Sequence, residues 1–437
     1  MAKREAGPMP GMRDMLAEQM IPRQRMIGVI QGVYENYGFV PLETPGIEKL
    51  ETLTGKYGPE GEKLMYKLQD HGGRNLALRY DLTVPLARVV AQHGAELPMP
   101  YKRYHLGQVW RGESPQAGRY REFTQFDIDT VGTTSPIADA EIAAAMSDAM
   151  HALGADAVVR VNNRRLLDAL VEKAGLTGDT NVRDFISTID KIGKIGLENV
   201  LLTLRDIGGS RAEEAAAEYL GVTGTTRERI QAIRESLGNS EAAQEGADNL
   251  EAVFSILEQS GYNEDSITFD QSIARGMDYY TGIIYEAVLK DLPSIGSVCG
   301  GGRYDNLVKA LGGPDLPAVG VSIGVDRLME GLTQLGRTET SKTNTKVMIA
   351  NYSEDMSGEY MRVATTLRSA GIPTEVYYDP NIKTGKQIQF ADAQGVPFVV
   401  FLKPGDVARG VVVIKNLQTK VQQEVTVEKL AGIVRSE

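Results

Sequence analysis

Residues 123–131 alternate without a break: Gln125, Asp127 and Asp129 fall on one side, Phe126 and Ile128 on the other. Successive side chains of a β-strand point to opposite faces, so this segment is expected in a sheet with one covered face and one polar face. Residues 76–83 carry the same pattern, with Arg79, Asp81 and Thr83 opposed to Leu78, Tyr80 and Leu82. Two strands thus offer carboxylates on the same kind of surface. A chain of 437 residues, 42% of them apolar, has material for a core beneath such a sheet and for roughly two to four domains.

The formal charge of −11 argues against a protein coated in positive charge but leaves room for a local basic site. The single cysteine, Cys299, excludes an intrachain disulfide; with four histidines it cannot build a Cys₂His₂ or Cys₄ zinc site. The first residues lack the apolar core of a secretory leader, and apolar runs such as 398–402 fall far short of the ~20 residues of a membrane span. These traits predict a cytoplasmic enzyme or binding protein without membrane contact.

Around the alternating segments the texture changes several times. Residues 12–40 read as a helix running up to Gly38, with Ile27, Val29, Ile30 and Val33 as apolar positions, then a short extended piece that Pro45 stops. Residues 164–262 are rich in Ala, Glu, Arg and Leu at helical spacing and hold 11 Lys and Arg against 17 Asp and Glu, which reads as an acidic helical insertion. Strand texture returns at 267–269 and 279–289. A glycine-rich strip follows at 296–302, CGGGRYDNL reads as a tight turn between strand and helix, and 304–311 reads as that helix. The polar run QLGRTETSKTNTK reads as a linker. Beyond it, strands at 347–351, 374–378 and 396–402 alternate with helices at 359–370 and 386–394, an order that predicts a largely parallel sheet.

Familiar catalytic patterns fail one by one. GVSIG at 320–324 fits a nucleophile elbow, but that arrangement needs a later histidine and none follows His151. Gly55-Lys56, Gly193-Lys194 and Gly385-Lys386 lack the Ser or Thr of a P-loop, and CGGGRYDNL has no third glycine at dinucleotide-binding spacing. What remains is a set of arginines in strand-like, aromatic surroundings. The segment YKRYHLGQVWRGESPQAGRYREF carries Lys102, Arg103, Arg111, Arg119 and Arg121, a cluster suited to a polyphosphate. From charge alone, a solvated hairpin explains it equally well. RGMDYYTG at 275–282 sets Arg275 and Asp278 beside Tyr279 and Tyr280, and GVSIGVDRL puts Asp326 and Arg327 at the head of an apolar helix.

Together these segments resemble the histidyl-tRNA synthetases, a family of class II aminoacyl-tRNA synthetases, over nearly the whole chain. YGFVPLETP is similar to class II motif 1, which builds the family's dimer interface; VWRGESPQAGRYREFTQFDIDTVG is similar to motif 2 and GVSIGVDRL to motif 3. RGMDYYTG, LRYDLTVP and CGGGRYDNL are particular to the histidine branch. The resemblance implies an α+β fold: an antiparallel catalytic sheet from residues 1–163 and 263–332, a helical insertion at 164–262, a linker at 333–343 and a C-terminal α/β anticodon-binding domain at 344–437.

It also implies the chemistry. The carboxylate of L-histidine attacks the α-phosphate of ATP to give histidyl-adenylate and pyrophosphate, and the terminal ribose of tRNA(His) then takes the acyl group. Charge builds on the α-phosphate, so positioned cations matter more than a proton shuttle. By resemblance Arg111 and Arg275 are the catalytic groups, both on the α-phosphate, with Arg111 also on the substrate carboxylate. Arg119 and Arg327 hold the γ-phosphate end, Phe123 stacks on adenine with Arg327 on the other face, and Glu113 lies near the adenine amino group. Asp81, Thr83 and Gln125 take the α-ammonium, with Leu82 between them. Asp129 and Tyr280 hold the imidazole nitrogens, and Tyr279 and Gly301 shape the pocket. Mg²⁺ comes with ATP, no resident metal or tightly bound cofactor is expected, and motif 1 implies a homodimer. Asp81-Leu82-Thr83 and Asp129 follow the archaeal and eukaryotic-like branch, where many bacterial members carry Glu-Gly-Thr and Glu.

Two other readings share the catalytic fold. One is the paralogue that regulates ATP phosphoribosyltransferase in histidine biosynthesis, which usually lacks the C-terminal domain. The other is a synthetase-like sensor attached to a kinase, and no kinase segment is present. In the tail, 11 Lys and Arg stand against 10 Asp and Glu, so RNA affinity has to come from local placement; Lys383, Lys386, Arg409, Lys415 and Lys420 are the candidates.

Overall fold

The computed structural model of the chain describes residues 6–116, 118–274 and 279–436. It divides into two compact units, Met1–Arg13 with Met26–Thr338, and Asp14–Arg25 with Glu339–Glu437. The grouping of Asp14–Arg25 with the C-terminal residues differs from the single segment 1–163 expected above.

In the first unit the strands are β1 (Val40–Pro41), β2 (Ile47–Lys49), β3 (Lys67–Gln69), β4 (Asn75–Leu78), β5 (Tyr101–Trp110), β6 (Glu122–Val131), β7 (Ala157–Asn163), β8 (Ile267–Phe269), β9 (Ile283–Leu289), β10 (Ser297–Arg303) and β11 (Ala318–Gly324). Eight form one sheet in the order β1-β5-β6-β11-β10-β9-β7-β8, and β2-β4-β3 form a small second sheet. The large sheet is antiparallel except at its margins, where β1 and β8 pair in parallel with β5 and β7. Its alternation decides what lies on each side. Phe126 and Ile128 are fully buried in the main core with Ile30 and Tyr34 of the helix Ala17–Asn36 and with the helix Pro136–Ala152. The Phe126 and Tyr34 rings meet edge to face at 5.0 Å.

The other face carries the polar row. Register places Arg103, His105 and Gly107 of β5 beside Asp129, Asp127 and Gln125. On the far side of β6, β11 sets Gly320, Ser322 and Gly324 against the same three residues, and β10 follows with Gly302 and Gly300. A hollow paved with glycine therefore adjoins a row of buried polar groups.

Several expectations need correction. The strand reading of 76–83 ends at Leu78. Asp81 lies in a turn and Thr83 opens the helix Thr83–His93, because Val84, Leu86, Ala87 and Val90 bury one helical face. Asp81 Oδ1 accepts from Val84 N at 3.1 Å, satisfying one of the free donors at that helix start. The glycine strip is strand β10 rather than a turn: a Cβ on Gly301 would sit 2.1 Å from the Gly320 carbonyl oxygen, so only glycine permits the close ladder. Residues 304–311 form only a 3₁₀ turn at Lys309–Leu311, and the first helix begins at Ala17 rather than 12. Residues 164–262 are helical as read, with Arg164–Ala174, Asp179–Ile189, Ile192–Leu220, Thr226–Leu237 and Glu241–Gln259.

The second unit holds β12 (Val347–Ile349), β13 (Thr374–Val376), β14 (Phe398–Phe401), β15 (Val411–Asn416) and β16 (Gln422–Thr426), in the order β13-β12-β14-β15-β16. β12 runs parallel to β13 and β14, and β15 and β16 form a closing antiparallel hairpin. Both faces are apolar. Val347, Ile349 and Val400 pack with Tyr360, Val363 and Leu367, while Met348, Val399 and Phe401 pack with Ala391 and Val396. Among the described residues no helix is long and apolar enough to cross a membrane.

Candidate active site

A cavity of about 410 Å³ opens on the polar face of the large sheet. It is lined by Arg111, Glu113, Arg119, Phe123 and Arg327 toward one end, and by Asp81, Thr83, Gln125, Tyr279, Tyr280, Gly301 and Ser322. Eleven predicted residues from five separate stretches therefore meet in one place. Arg275 lies outside the described residues, and Leu82 is fully buried without lining the cavity. A larger cleft, about 1060 Å³, lies between the helices Thr226–Leu237 and Glu241–Gln259; its acidic Asp248, Glu251, Glu258 and Glu264 outnumber Arg227, which gives no basis for phosphate binding.

The cationic end is held by the β5–β6 hairpin and the start of the helix Val325–Gln334. Arg111 Nε donates to the Tyr80 carbonyl at 3.1 Å, and its guanidinium lies over the rings of Tyr80 and Phe123, 4.4 and 5.2 Å from their centroids. Arg119 pairs with Glu113 at 3.1 Å, and Arg327 Nη1 donates to the Ser297 carbonyl at 2.9 Å. Asp326 fixes this end: it accepts from Arg13 Nη2 and from the backbone N–H of Thr124, each at 2.7 Å, tying the helix start to β6.

The acidic end is more deeply buried. Asp81 accepts from Tyr57 Oη at 2.9 Å and Tyr279 Oη at 3.2 Å, besides Val84 N. Burial raises its carboxyl, and the bond from Val84 leads the opposing effects, followed by Tyr57 and the Arg111 charge. Gln125 Nε2 donates to Ser322 Oγ at 2.6 Å, while Gln125 Oε1 has no partner among the described residues. The tyrosine phenols of Tyr279 and Tyr280 are pushed up, mainly by burial, and Asp81, Asp127 and Asp129 add to the rise at Tyr280.

Asp129 and Arg103 depart from expectation. Arg103 is fully buried, 2.7 Å from Asp129 Oδ2 and 3.8 Å from Asp127 Oδ2, so it cannot serve the polyphosphate cluster in which its sequence neighbours place it. Asp129 also accepts from Tyr304 Oη and sits against Gly320, where a Cβ would strike its Oδ1 at 2.0 Å; it lies under the cavity rather than lining it. Lys102, also counted in that cluster, pairs with Glu141 at 2.7 Å. Asp127 is raised to about 7 by burial, against the pull of Arg103. His105, directly across from Asp127, is lowered to about 3 by burial and then by Arg103 and Arg79, and neither ring nitrogen has a partner among the described residues.

Sequence reasoning missed Tyr57, Tyr304 and Ser322. The last two stand inside motifs already singled out and would follow from strand register; Tyr57 carries no local signal. Asp190 and Lys194 of the helical region also line the cavity. Among the described residues no group of three His, Cys, Asp or Glu side chains is placed to hold a metal ion. In the second unit Arg409 is engaged by Asp406 and Glu424, both at 2.8 Å, whereas Lys383 and Lys386 are exposed.

Comparison with known proteins gives the same picture across the chain. The family model for histidyl-tRNA synthetase matches residues 11–328, and that for an anticodon-binding domain matches 346–437. A histidine–tRNA ligase of Rhodopirellula baltica is 41% identical over 418 residues, 95% of this chain and 94% of the relative. One from Wolinella succinogenes is 38% identical and covers 97% of both chains. The crystal structure of histidyl-tRNA synthetase from Nostoc superposes with a TM-score of 0.89 at 32% identity, over 99% of this chain and all of that one. With motifs, sheet and full-length relatives in agreement, the chain belongs to the histidyl-tRNA synthetase family.

Proposed function

We propose that the chain is a histidine–tRNA ligase that works in two steps. A histidine carboxylate oxygen attacks the α-phosphorus of ATP, the bond to the β-phosphate oxygen breaks, and pyrophosphate leaves. A terminal ribose hydroxyl of tRNA(His) then attacks the acyl carbon of histidyl-adenylate, and AMP leaves. The observation that carries this reading is the meeting of Arg111, Arg119 and Arg327 with Asp81, Gln125 and the paired tyrosines in one cavity. The curated relatives and the presence of both matched regions speak for the ligase over the regulatory paralogue.

The roles follow from charge and placement. Arg111 serves the α-phosphate and carboxylate, together with Arg275; fixed guanidinium groups stabilise charge as it develops and need no reorganisation. Arg119 and Arg327 take the γ-phosphate end of ATP, which arrives as its magnesium complex. Phe123 receives adenine on the ring face away from Arg111, with Arg327 beyond it, and Glu113 accepts from the adenine amino group. Asp81, Thr83 and Gln125 receive the ammonium. Tyr280 supplies a polar partner of the imidazole, and Asp129 acts on it from beneath the cavity, where its charge helps to raise the Tyr280 phenol. An apolar amino acid would leave these buried groups unpaired, which supports about 10⁴-fold rejection without editing.

In this reading residues 344–437 bind the anticodon, 164–262 are an insertion in the catalytic domain, motif 1 forms a homodimer, and the enzyme works in the cytoplasm. The deciding experiment is ATP–pyrophosphate exchange across all twenty amino acids, without tRNA. Histidine alone should drive it; exchange with another amino acid, or none at all, refutes the proposal.

A further inference from the structure

A stretch of chain ahead of the first helix is stitched to the cationic end of the cavity, and the roles above do not use it. Residues 9–12 form a turn against the β5–β6 hairpin: Met12 N–H donates to the Met9 carbonyl at 2.9 Å, and the Gly11 carbonyl accepts from Arg121 N–H at 2.8 Å. Gly11 has a φ of +86°, and a Cβ there would meet Arg121 Cγ and Cδ at 2.8 Å, so the seat is closed to other residues. Arg121, read with the polyphosphate cluster, does not line the cavity; its side chain donates to the carbonyls of Glu113 and Pro10, both at 3.1 Å. Arg13 then bridges two pieces of the cavity wall. Its Nη1 donates to Tyr120 Oη at 2.8 Å, its Nη2 donates to Asp326 Oδ1 at 2.7 Å, and the guanidinium carbon lies 3.8 Å from the Tyr120 ring centroid. Tyr120 follows Arg119 on the hairpin. Asp326 precedes Arg327 and holds the Thr124 N–H of β6 with its other oxygen. Tyr120 and Asp326 line the cavity and Arg13 does not. One planar cation thus sets the distance between hairpin and helix start, and a lysine, with a single nitrogen, lacks the fork to do so.

We infer that Arg13 is a positioning residue for ATP: it holds the hairpin that carries Glu113, Arg119 and Phe123 at a fixed spacing from Arg327 before the nucleotide arrives. The inference rests on the reading of this cavity as the site of ATP and histidine and deepens it. A loop fixed in advance loses little freedom on binding, whereas a released one has to be ordered by its ligand, which weakens affinity for that ligand. The contacts that hold the acidic end come from elsewhere: Tyr57, Val84 and Tyr279 on Asp81, and Ser322 on Gln125. Loss of Arg13 is therefore felt by ATP and not by histidine.

The test is histidine-dependent pyrophosphate exchange by the full chain, with the KM for ATP and the KM for histidine measured separately. Arg13→Ala is expected to raise the KM for ATP about tenfold and to leave that for histidine within about twofold. A general loosening of the fold would lower the active fraction, and with it kcat, without separating the two constants. Arg13→Lys, which keeps the charge but reaches one partner at a time, should recover only part of the loss. Tyr120→Phe, which removes one oxygen and keeps the ring, should raise the KM for ATP about threefold. Added to Arg13→Ala it should change nothing further, because the two side chains act as one clamp. If Arg13→Ala does not fold, Tyr120→Phe alone decides. An unchanged KM for ATP, an equal rise for both substrates, or effects that multiply in the double variant overturn the inference. A wild-type chain without histidine-dependent exchange overturns instead the reading beneath it.

Discussion

Strands β6 and β14 both run through the middle of a sheet and are both buried, yet their chemistry is opposed. All four residues of β14 are apolar, and each face of the strand joins an apolar cluster. β6 buries Thr124, Gln125, Asp127, Asp129 and Thr130 along with Phe126 and Ile128. Taking a carboxylate out of water costs several kcal/mol even when it is paired, so β6 is a poor way to build a core. The contrast separates a sheet that is apolar on both faces, with Lys383 and Lys386 exposed elsewhere in its unit, from a sheet whose own polar face adjoins a cavity.

Substitutions can break or sharpen that contrast. Arg103→Leu strands Asp127 and Asp129 and should cost about 3–5 kcal/mol in urea unfolding of the first unit, whereas Val400→Ala in β14 should cost about 2 kcal/mol. Equal costs would mean that the polar row is no special burden. Arg111→Ala should slow pyrophosphate exchange about 10²–10³-fold while the melting temperature holds, since its side chain lies over rings at the cavity wall rather than within the core. A matching drop in melting temperature would make it structural.

The next effect is one of pH. His105 is held near 3 in the fold against about 6.5 in the unfolded chain, so the unfolded state binds a proton that the folded state refuses. Its share of stability is present above about pH 6.5 and drains away as pH falls toward 3. Asp127, raised to about 7, acts in the reverse sense, losing stability as pH rises through that value. Comparing His105→Phe with the parent chain isolates the histidine: the variant should gain relative to the parent between pH 7 and pH 4 in denaturant midpoint. A constant difference would show that His105 does not titrate as described. Smallest of all, Lys383→Glu with Lys386→Glu should raise the KM for tRNA less than about tenfold and leave exchange unchanged. A fall in exchange would contradict a role confined to RNA.

How much of this was legible depended on whether the signal was local. The alternation of 123–131 names the polar face by itself, and the β-α-β-α-β order of the tail needs only the spacing of apolar runs. Asp81 was misplaced because LRYDLTVP alternates right up to the helix that buries Val84 and Val90; the aspartate three residues before the first buried N–H was the available cue. Arg103 reads as one of five basic residues until β5 is paired with β6. Once the hairpin closes, 103 falls opposite 129, and the cation belongs to the floor. Tyr57 reaches Asp81 only through tertiary packing and left no mark in the residues around it.

The glycines under the cavity have a further consequence for how such an enzyme can diverge. A methyl group would meet its nearest neighbour at 3.3 Å on Gly300, but at 2.6 Å on Gly302 and 2.0 Å on Gly320. None of the three takes a carbon without a shift beside it; the demand is smallest at Gly300, where the Tyr285 backbone carbonyl would have to give by a few tenths of an ångström. Depth is thus close to frozen by inheritance, and under the proposed reading a shift in amino-acid preference would have to arise in the walls, at Asp81, Tyr279 or Tyr280.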